Sequence, residues 1–219
     1  MMLGPTLTTA RLTLTPPTPA DFDDFAALQG DERVMRLLGG AQPRAVAWRT
    51  FVQTAGVWAM YGFGFFMVRE REGGRFVGRI GCHHPEGWPG TEVGWGLTHA
   101  AQGQGYATEA AAACIDFAVD QLGWTEVIHC IDTANTQSAA VAQRLGARIL
   151  RVAPLPEPYN KPVDCWGQTA AEWKARRGQR RRTTCVARPP QRSSPFGGSG
   201  READEGGNAA TGLAHTASG

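Results

Sequence analysis

The 219-residue sequence lacks several features that would place it in a specialised class of protein. It contains no apolar run long enough to cross a bilayer, and no basic and then apolar leader follows Met1. Its five cysteines are widely spaced and include no C-x-x-C pair, so neither a disulfide framework nor a zinc site is expected. We therefore expect a soluble, cytoplasmic protein with reduced thiols, no metal and no membrane partner.

The two ends of the chain differ in charge. Residues 1–174 carry 14 Lys and Arg against 17 Asp and Glu (net −3), whereas residues 175–219 carry 8 against 3 (net +5), which together give the +2 of the whole chain. The basic part is rich in Arg, Gly, Ser, Pro and Ala and buries too little apolar surface to offset the entropy of ordering. The sequence predicts one domain over residues 1–174 and a disordered tail over residues 175–219.

The spacing of apolar residues predicts an α/β (mixed α+β) fold. Alternating and β-branched runs predict strands over residues 11–14, 63–69, 75–82, 91–97, 126–131, 148–152 and 163–167. Helical spacing predicts helices beginning near Thr18, Pro43, Ala107 and Asn135, and a short one over residues 169–176. Hairpins followed by a strand-helix-strand unit predict a mixed sheet with helices on both of its faces.

A glycine turn joins the strand over residues 91–97 to an alanine-rich helix. Gly103 and Gly105 let the backbone approach a ligand, and the first-turn N–H groups of the helix form an anion site suited to a pyrophosphate. No Lys and Ser or Thr follow Gly105 as in a Walker loop, and Thr108 stands where a dinucleotide fingerprint has a small residue. A structural turn without a ligand is the alternative.

A second motif lies about 30 residues further on, where Asn135-x-x-Ser138 follows the strand over residues 126–131. The first motif, with Gln102, Gly105 and Ala107, resembles the pyrophosphate loop of the GNAT superfamily of acyl-CoA N-acyltransferases. The second resembles the Asn-x-x-Ser pattern of the same superfamily, which continues through Arg144, Gly146 and Ala147. Asn135 is also a plausible helix cap without any ligand.

The resemblance covers roughly residues 8–174 and implies a mixed, mostly antiparallel sheet of six to seven strands with a V-shaped splay between the fourth and fifth. Residues 91–97 and 105–110 are most similar to the branch that contains the ribosomal-protein N-terminal acetyltransferases. That branch also includes enzymes acting on small amines and antibiotics. The loop between the first two helices, with residues 35–38, would then border the site of the acyl acceptor.

The resemblance also implies that acetyl-CoA is the acyl donor, with its pantetheine paired to the strand over residues 91–97. The residues predicted to bind it are Val93, Trp95, Leu97, Gln102, Gly103, Gln104, Gly105, Tyr106, Ala107, Thr108, Asn135 and Ser138.

An amine acceptor is protonated at neutral pH, so its attack on a thioester requires a base. Glu92 matches the position where many members of the superfamily carry a glutamate, and a carboxylate exposed on a strand is the alternative interpretation. His83 and His84 are the other candidate bases, because a histidine accepts a proton near neutrality. We expect one of the two histidines to be solvated and the other to pack.

The identity of the acid that protonates the leaving thiolate stays open. Many members of the superfamily carry a tyrosine just after the helix of the Asn motif, and that place holds none here. Ser138 and Asn135 are the remaining donors, and Tyr159 lies in a later loop. We name Glu92 and Ser138 as the catalytic residues.

The predicted function is transfer of an acetyl group to a primary amine, and a non-catalytic acyl-CoA-binding module is the alternative. The acceptor stays open among a protein N-terminus, a polyamine, an amino acid and an antibiotic, and a homodimer stays open too. Arginines cluster over residues 176–182, where a nucleic-acid anchor is less favoured than a solvated tail because no aromatic residues interleave with them.

Overall fold

The computed structural model describes residues 3–157 and 159–186. Its strands are β1 (Leu7–Thr8), β2 (Leu12–Thr15), β3 (Phe65–Glu70), β4 (Phe76–His83), β5 (Glu92–Leu97), β6 (Glu126–Ile131), β7 (Arg148–Pro154) and β8 (Pro162–Thr169). Its α-helices are α1 (Phe22–Gly30), α2 (Glu32–Met35), α3 (Arg44–Tyr61), α4 (Tyr106–Asp120), α5 (Thr136–Leu145) and α6 (Ala170–Val186).

The strands form one eight-stranded sheet in the order β1-β2-β3-β4-β5-β6-β8-β7. The β5–β6 pair is parallel, and the other neighbouring pairs are antiparallel. The predicted mixed, mostly antiparallel sheet is confirmed. The predicted number of strands, six to seven, was too low because β1 has only two residues, too few to show an alternating pattern.

Helices cover both faces of the sheet, as predicted. On one face α4 packs over a core that includes Ile80, Val93 and Ile115, and on the other face α1 and α3 pack around Phe25 and Met67. Because side chains alternate along a strand, β5 sends Val93, Trp95 and Leu97 toward α4 and Glu92, Gly94 and Gly96 toward the opposite face.

The strands β5 and β6 meet at one end and then separate. Glu92 is paired with Ile128, and the Ile128 N–H donates to the Thr91 carbonyl over 2.9 Å. In the described residues, no further pair joins the two strands toward Leu97 and Ile131. The predicted V-shaped splay is therefore present between these strands, which are the fourth and fifth of the predicted set.

The last helix is longer than predicted. A short helix was expected over residues 169–176 and disorder from residue 175, whereas α6 continues to Val186. Residues 187–219, the remainder of the predicted tail, lie outside the described residues.

Contacts with α4 explain the extra length of α6. The indole N–H of Trp173 donates to Asp116 over 2.8 Å, and the guanidinium of Arg177 lies 2.6 Å from Asp116 and 2.5 Å from Asp120. These partners are more than 50 residues apart in the chain. A search for local apolar periodicity does not detect such charge pairing.

Over residues 3–157 and 159–186, no helix is long and apolar enough to cross a membrane. In the same part of the chain, no three His, Cys, Asp or Glu side chains are grouped as a metal site. Cys82, Cys114, Cys130 and Cys165 are free thiols, and Cys130 is the one of these four that is not buried.

Candidate active site

The turn before α4 leaves a row of backbone N–H groups without partners. Gly103 and Gly105 have φ of +75° and +80°, a left-handed conformation that favours glycine. No hydrogen-bond acceptor within the described ranges pairs with the backbone N–H groups of residues 105–108, and the Glu109 N–H is the first to bond back along the chain, to Gly105 over 3.1 Å. With the positive end of the helix dipole, these groups form an anion cradle.

Side chains of the predicted loop residues hold the cradle rather than point into it. The Gln104 amide donates to the Ala100 carbonyl over 2.7 Å, and the Tyr106 hydroxyl donates to Glu70 over 2.6 Å. Arg11 donates to the Gln104 carbonyl over 3.0 Å. These residues therefore offer a ligand mainly their backbone.

A groove of about 770 Å³ runs from this cradle between β5 and α5. It brings together the predicted residues Trp95, Leu97, Gln102, Gly103, Gln104, Gly105, Tyr106, Ala107, Thr108, Asn135 and Ser138. Val93 is the exception, since its buried side chain belongs to the core under α4. Arg144 of the second motif also lines the groove, together with Arg33 and Arg36, which the motifs did not identify.

The backbone groups on the edge of β5 that faces the gap are only partly free to pair with a ligand. The Val93 carbonyl lies 2.6 Å from Nδ1 of His129. Burial lowers the pKa of His129 to about 4, so the ring is neutral and donates from Nδ1. Because backbone groups alternate along a strand, those of Trp95 and Leu97 face the gap on the same side. Trp95 is thus the predicted strand residue best placed to pair with a ligand.

A second cavity, of about 450 Å³, lies on the opposite face of β5. Met35, Leu37 and Leu38, from the segment that was predicted to border the acceptor site, contribute to its wall. Trp95, Leu38, Asn135 and Ser138 line both this cavity and the groove. We call the two spaces the cradle groove and the Glu92 cavity. They meet at the splay between β5 and β6.

Glu92 is a buried group of the Glu92 cavity, with 7% of its surface exposed, and not the exposed carboxylate of the alternative interpretation. Burial raises its pKa to about 7, against the effect of two donors that favour the charged form. The donors are the indole N–H of Trp88, at 2.5 Å, and the backbone N–H of Cys130, at 3.2 Å. Glu92 is therefore poised to exchange a proton near neutral pH.

The two histidines differ as expected. His83 is half-buried between the rings of Phe65 and Trp88, with centroid distances of 5.3 and 4.8 Å. Burial, with a contribution from the charge of Arg79, lowers the pKa of His83 to about 4, which makes it a weak base. His84 is exposed and does not line the Glu92 cavity.

The second motif forms the other side of the splay. The Asn135 side chain caps α5 by accepting the Ser138 N–H over 3.1 Å, so its predicted capping role is present in the structure. The Ser138 hydroxyl accepts the indole N–H of Trp95 over 3.2 Å, and it keeps its own proton available for donation. Tyr159 lines the Glu92 cavity but not the cradle groove.

Sequence reasoning missed three side chains that shape the Glu92 cavity. Trp88 lies in a loop punctuated by proline and glycine, and nothing in that loop indicated a contact with Glu92. Arg79 and Cys130 lie on strands, where position alone does not reveal which residue faces a cavity. The one available signal was the position of Trp88, an aromatic residue four positions before the candidate base Glu92.

Comparison with known proteins gives the same family as the two motifs. A family model described as an acetyltransferase (GNAT) domain matches residues 11–148. An acetyltransferase structure from Agrobacterium tumefaciens str. C58 is 33% identical, with a TM-score of 0.67 over 75% of this chain and 94% of the other. The uncharacterized protein YkkB of Bacillus subtilis (strain 168) is 28% identical over 105 residues, 47% of this chain and 59% of that relative.

A more distant structure shares the fold alone. Spermidine N-acetyltransferase from Vibrio cholerae, in complex with CoA and spermine, is 11% identical, with a TM-score of 0.61 over 74% of this chain and 98% of the other. The residues that match the family model include both the glycine turn before α4 and the Asn motif. This chain therefore belongs to the GNAT family of acetyltransferases.

Proposed function

We propose that this protein transfers an acetyl group from acetyl-CoA to a primary amine, and that the two substrates enter from opposite faces of β5. The observation that carries the proposal is the junction at the splay. There an anion cradle on one side and a buried carboxyl group on the other open onto the same gap, beside Trp95 and Ser138.

The cradle groove suits the donor. The free N–H groups of residues 105–108 match the diphosphate of acetyl-CoA, and Arg33, Arg36 and Arg144 add positive charge along the groove. The backbone of Trp95 is placed to pair with an amide of the pantetheine arm, as an added strand would. The thioester then lies at the splay, near Ser138.

The Glu92 cavity suits the acceptor. Glu92 takes a proton from the ammonium group, and the free amine attacks the thioester carbon, forming the C–N bond and breaking the C–S bond. The nitrogen passes its second proton to the Ser138 hydroxyl as that hydroxyl gives its own proton to the thiolate, so CoA leaves as the thiol and Ser138 ends neutral. The Ser138 hydroxyl lies at the junction of the two spaces and is our proposed donor to the thiolate.

The alternative function is a module of the same fold that binds acyl-CoA without catalysis. A carboxyl group whose pKa is raised to about 7 is of no use in binding a thioester, but it is what a base for a neutral-pH reaction requires. The enzyme is therefore the better-supported function. None of the features described above favours the binding module over the enzyme.

The decisive experiment incubates the protein with acetyl-CoA and a panel of primary amines, and measures free thiol as CoA is released. The panel includes amino acids, amino acid amides, polyamines, aminoglycosides and a peptide with a free N-terminus. Time-dependent thiol release that requires an amine supports the enzyme. CoA binding by calorimetry without release for any amine would support the binding module.

We propose a catalytic domain that ends within α6, a cytoplasmic location, and membership of the branch that contains the ribosomal-protein N-terminal acetyltransferases. The branch assignment rests on the sequences over residues 91–97 and 105–110. A ribosomal peptide in the amine panel tests whether this chain acts on a protein N-terminus, which is one of the kinds of acceptor found in that branch.

A further inference from the structure

Arg79 lies on the same face of the sheet as Glu92, within the Glu92 cavity. In the antiparallel β4–β5 pair, Arg79 lies opposite Gly96 and His83 lies opposite Glu92. Gly94 and Gly96 therefore form the floor between the two charged groups, and neither carries a side chain. A Cβ at Gly96 would lie 3.6 Å from the side chain of Leu38 and 3.9 Å from that of Arg79, so both side chains lie over this glycine.

The guanidinium of Arg79 has the negative charge of Glu92 near it, but beyond the distance of a direct contact. It is half-buried and stacks on the ring of Phe65, 4.4 Å from the centroid. Of the residues whose side chains the structure describes, none forms a hydrogen bond or an ion pair with it. A guanidinium keeps its charge at neutral pH, and a charge that is shielded from water is unfavourable until an anion pairs with it.

Other carboxylates around the Glu92 cavity are occupied or solvated. Asp132 is ion-paired with Lys161 over 2.8 Å. Glu86 and Glu157 are exposed, and solvent screens their charges. Glu92 itself is held by Trp88 and by the Cys130 backbone. Arg79 is therefore left without a directly bound carboxylate in this cavity.

We propose, building on the acetyltransferase function above, that the acceptor is an amino acid whose carboxylate binds the guanidinium of Arg79 while its amine lies at Glu92. Planar guanidinium groups bind carboxylates through two parallel hydrogen bonds. The positions of Arg79 and Glu92 are offset by four residues, about 13 Å along the strands, and the two side chains bridge part of that length.

The other residues that line the Glu92 cavity indicate what kind of side chain the amino acid acceptor carries. Phe65, Trp88 and Tyr159 line the cavity with aromatic surface, which suits an apolar or aromatic side chain. A volume of about 450 Å³ falls in the range of small-molecule sites. A polyamine fits poorly, because it offers no anion to Arg79 and brings a second cation close to it.

The test compares L-phenylalanine with L-phenylalaninamide, which differ in the carboxylate, on the wild type, Arg79→Met and Arg79→Lys. Both thiol release from acetyl-CoA and calorimetric binding to the CoA-loaded protein are measured. Wild type should favour the acid by about tenfold or more, in kcat/KM and in affinity. Arg79→Met should lower the ratio of acid to amide, in kcat/KM and in affinity, to about one, and Arg79→Lys should restore part of the preference.

Arg49→Met is the matched control, because Arg49 is exposed on α3 and lines neither space. The inference would be overturned if the wild type acted on the acid and the amide equally well. It would also be overturned if Arg79→Met lost activity toward both compounds by the same factor. Failure of both compounds to bind would overturn it too. An Arg79-dependent preference in binding without any thiol release would instead sustain the inference and contradict the proposed catalytic function.

Discussion

At the scale of single residues, the site depends on the pKa of Glu92, on which two effects act in opposite directions. Burial favours the neutral carboxyl group, whereas donation from Trp88 and from the Cys130 backbone favours the carboxylate. The balance raises the pKa to about 7. The group is therefore protonated and inactive as a base below that pH, and ionised and active above it.

The first prediction concerns Glu92→Gln. The variant should lose about 100-fold or more in kcat, since it removes the proposed base, and CoA affinity should stay unchanged because Glu92 does not line the cradle groove. Wild-type kcat should rise with pH through about 7, and the residual rate of the variant should not show that rise.

The matched control for that experiment is Glu126→Gln, since this carboxylate lies on β6 outside both spaces. Steady-state kinetics between pH 5.5 and about 9, with calorimetry for CoA, measures both effects. An unchanged kcat in Glu92→Gln would remove Glu92 from the mechanism.

The second prediction concerns Trp88→Phe, which deletes one donor to Glu92 and keeps the aromatic ring. The carboxylate then loses stabilisation, so the pKa of Glu92 should rise further and the rise in kcat should move to higher pH. Activity well above that pH should recover toward the wild-type value. Trp48→Phe is the control, on an indole that is half exposed on α3. A lower rate at every pH with no displacement of the profile would show that Trp88 has only a packing role.

At the scale of single elements, short local patterns predicted the starts of α4 and α5 correctly. Gly105 precedes α4 in the left-handed conformation, and Asn135 caps α5 through the Ser138 N–H. Both depend on residues close in sequence, which is why they were predictable. The contacts of Trp88 with Glu92 and the exposure of Arg79 to a cavity depend on how loops and strands fold together, and local patterns do not encode that.

The third prediction compares two glycines in the same backbone conformation. Gly103 and Gly73 both have φ of +75°, and a Cβ added to either meets no atom within 4 Å. Gly103→Val and Gly73→Val should therefore lose similar amounts of unfolding free energy, about 1–2 kcal/mol, from backbone strain. Only Gly103→Val should weaken CoA binding, by about tenfold or more, because Gly73 lies in the β3–β4 turn.

Urea unfolding and calorimetric titration with CoA measure the two effects of these glycine variants separately. Equal CoA affinity in the two variants would mean that the turn before α4 does not hold the donor.

At the scale of the whole molecule, the order of the strands was less predictable than the elements themselves. The strand β8 lies between β6 and β7, so the last hairpin joins the sheet through its second strand. Alternating patterns identify strands but not their neighbours. The last helix was also predicted too short, because Arg177 contacts α4 through charge rather than through apolar spacing.

The fourth prediction follows from that boundary. Ending the chain after Lys174 should lower the melting temperature, since it removes the pairs of Arg177 with Asp116 and Asp120. Ending it after Val186 should leave both the melting temperature and acetyl transfer unchanged. If only the chain that ends after Lys174 loses RNA binding, the less favoured nucleic-acid anchor lies in residues 175–186. If neither the full chain nor either shortened chain binds RNA, the chain has no such anchor.

The central claim is that backbone N–H groups at the start of α4 grip the diphosphate of acetyl-CoA and direct its thioester into the gap between β5 and β6. A crystal structure of the protein with acetyl-CoA tests it most directly. We predict phosphate oxygens within about 3 Å of the N–H groups of residues 105–108 and the thioester beside Trp95 and Ser138. Acetyl-CoA bound elsewhere, or a thioester separated from the Glu92 cavity by side chains, would contradict the account.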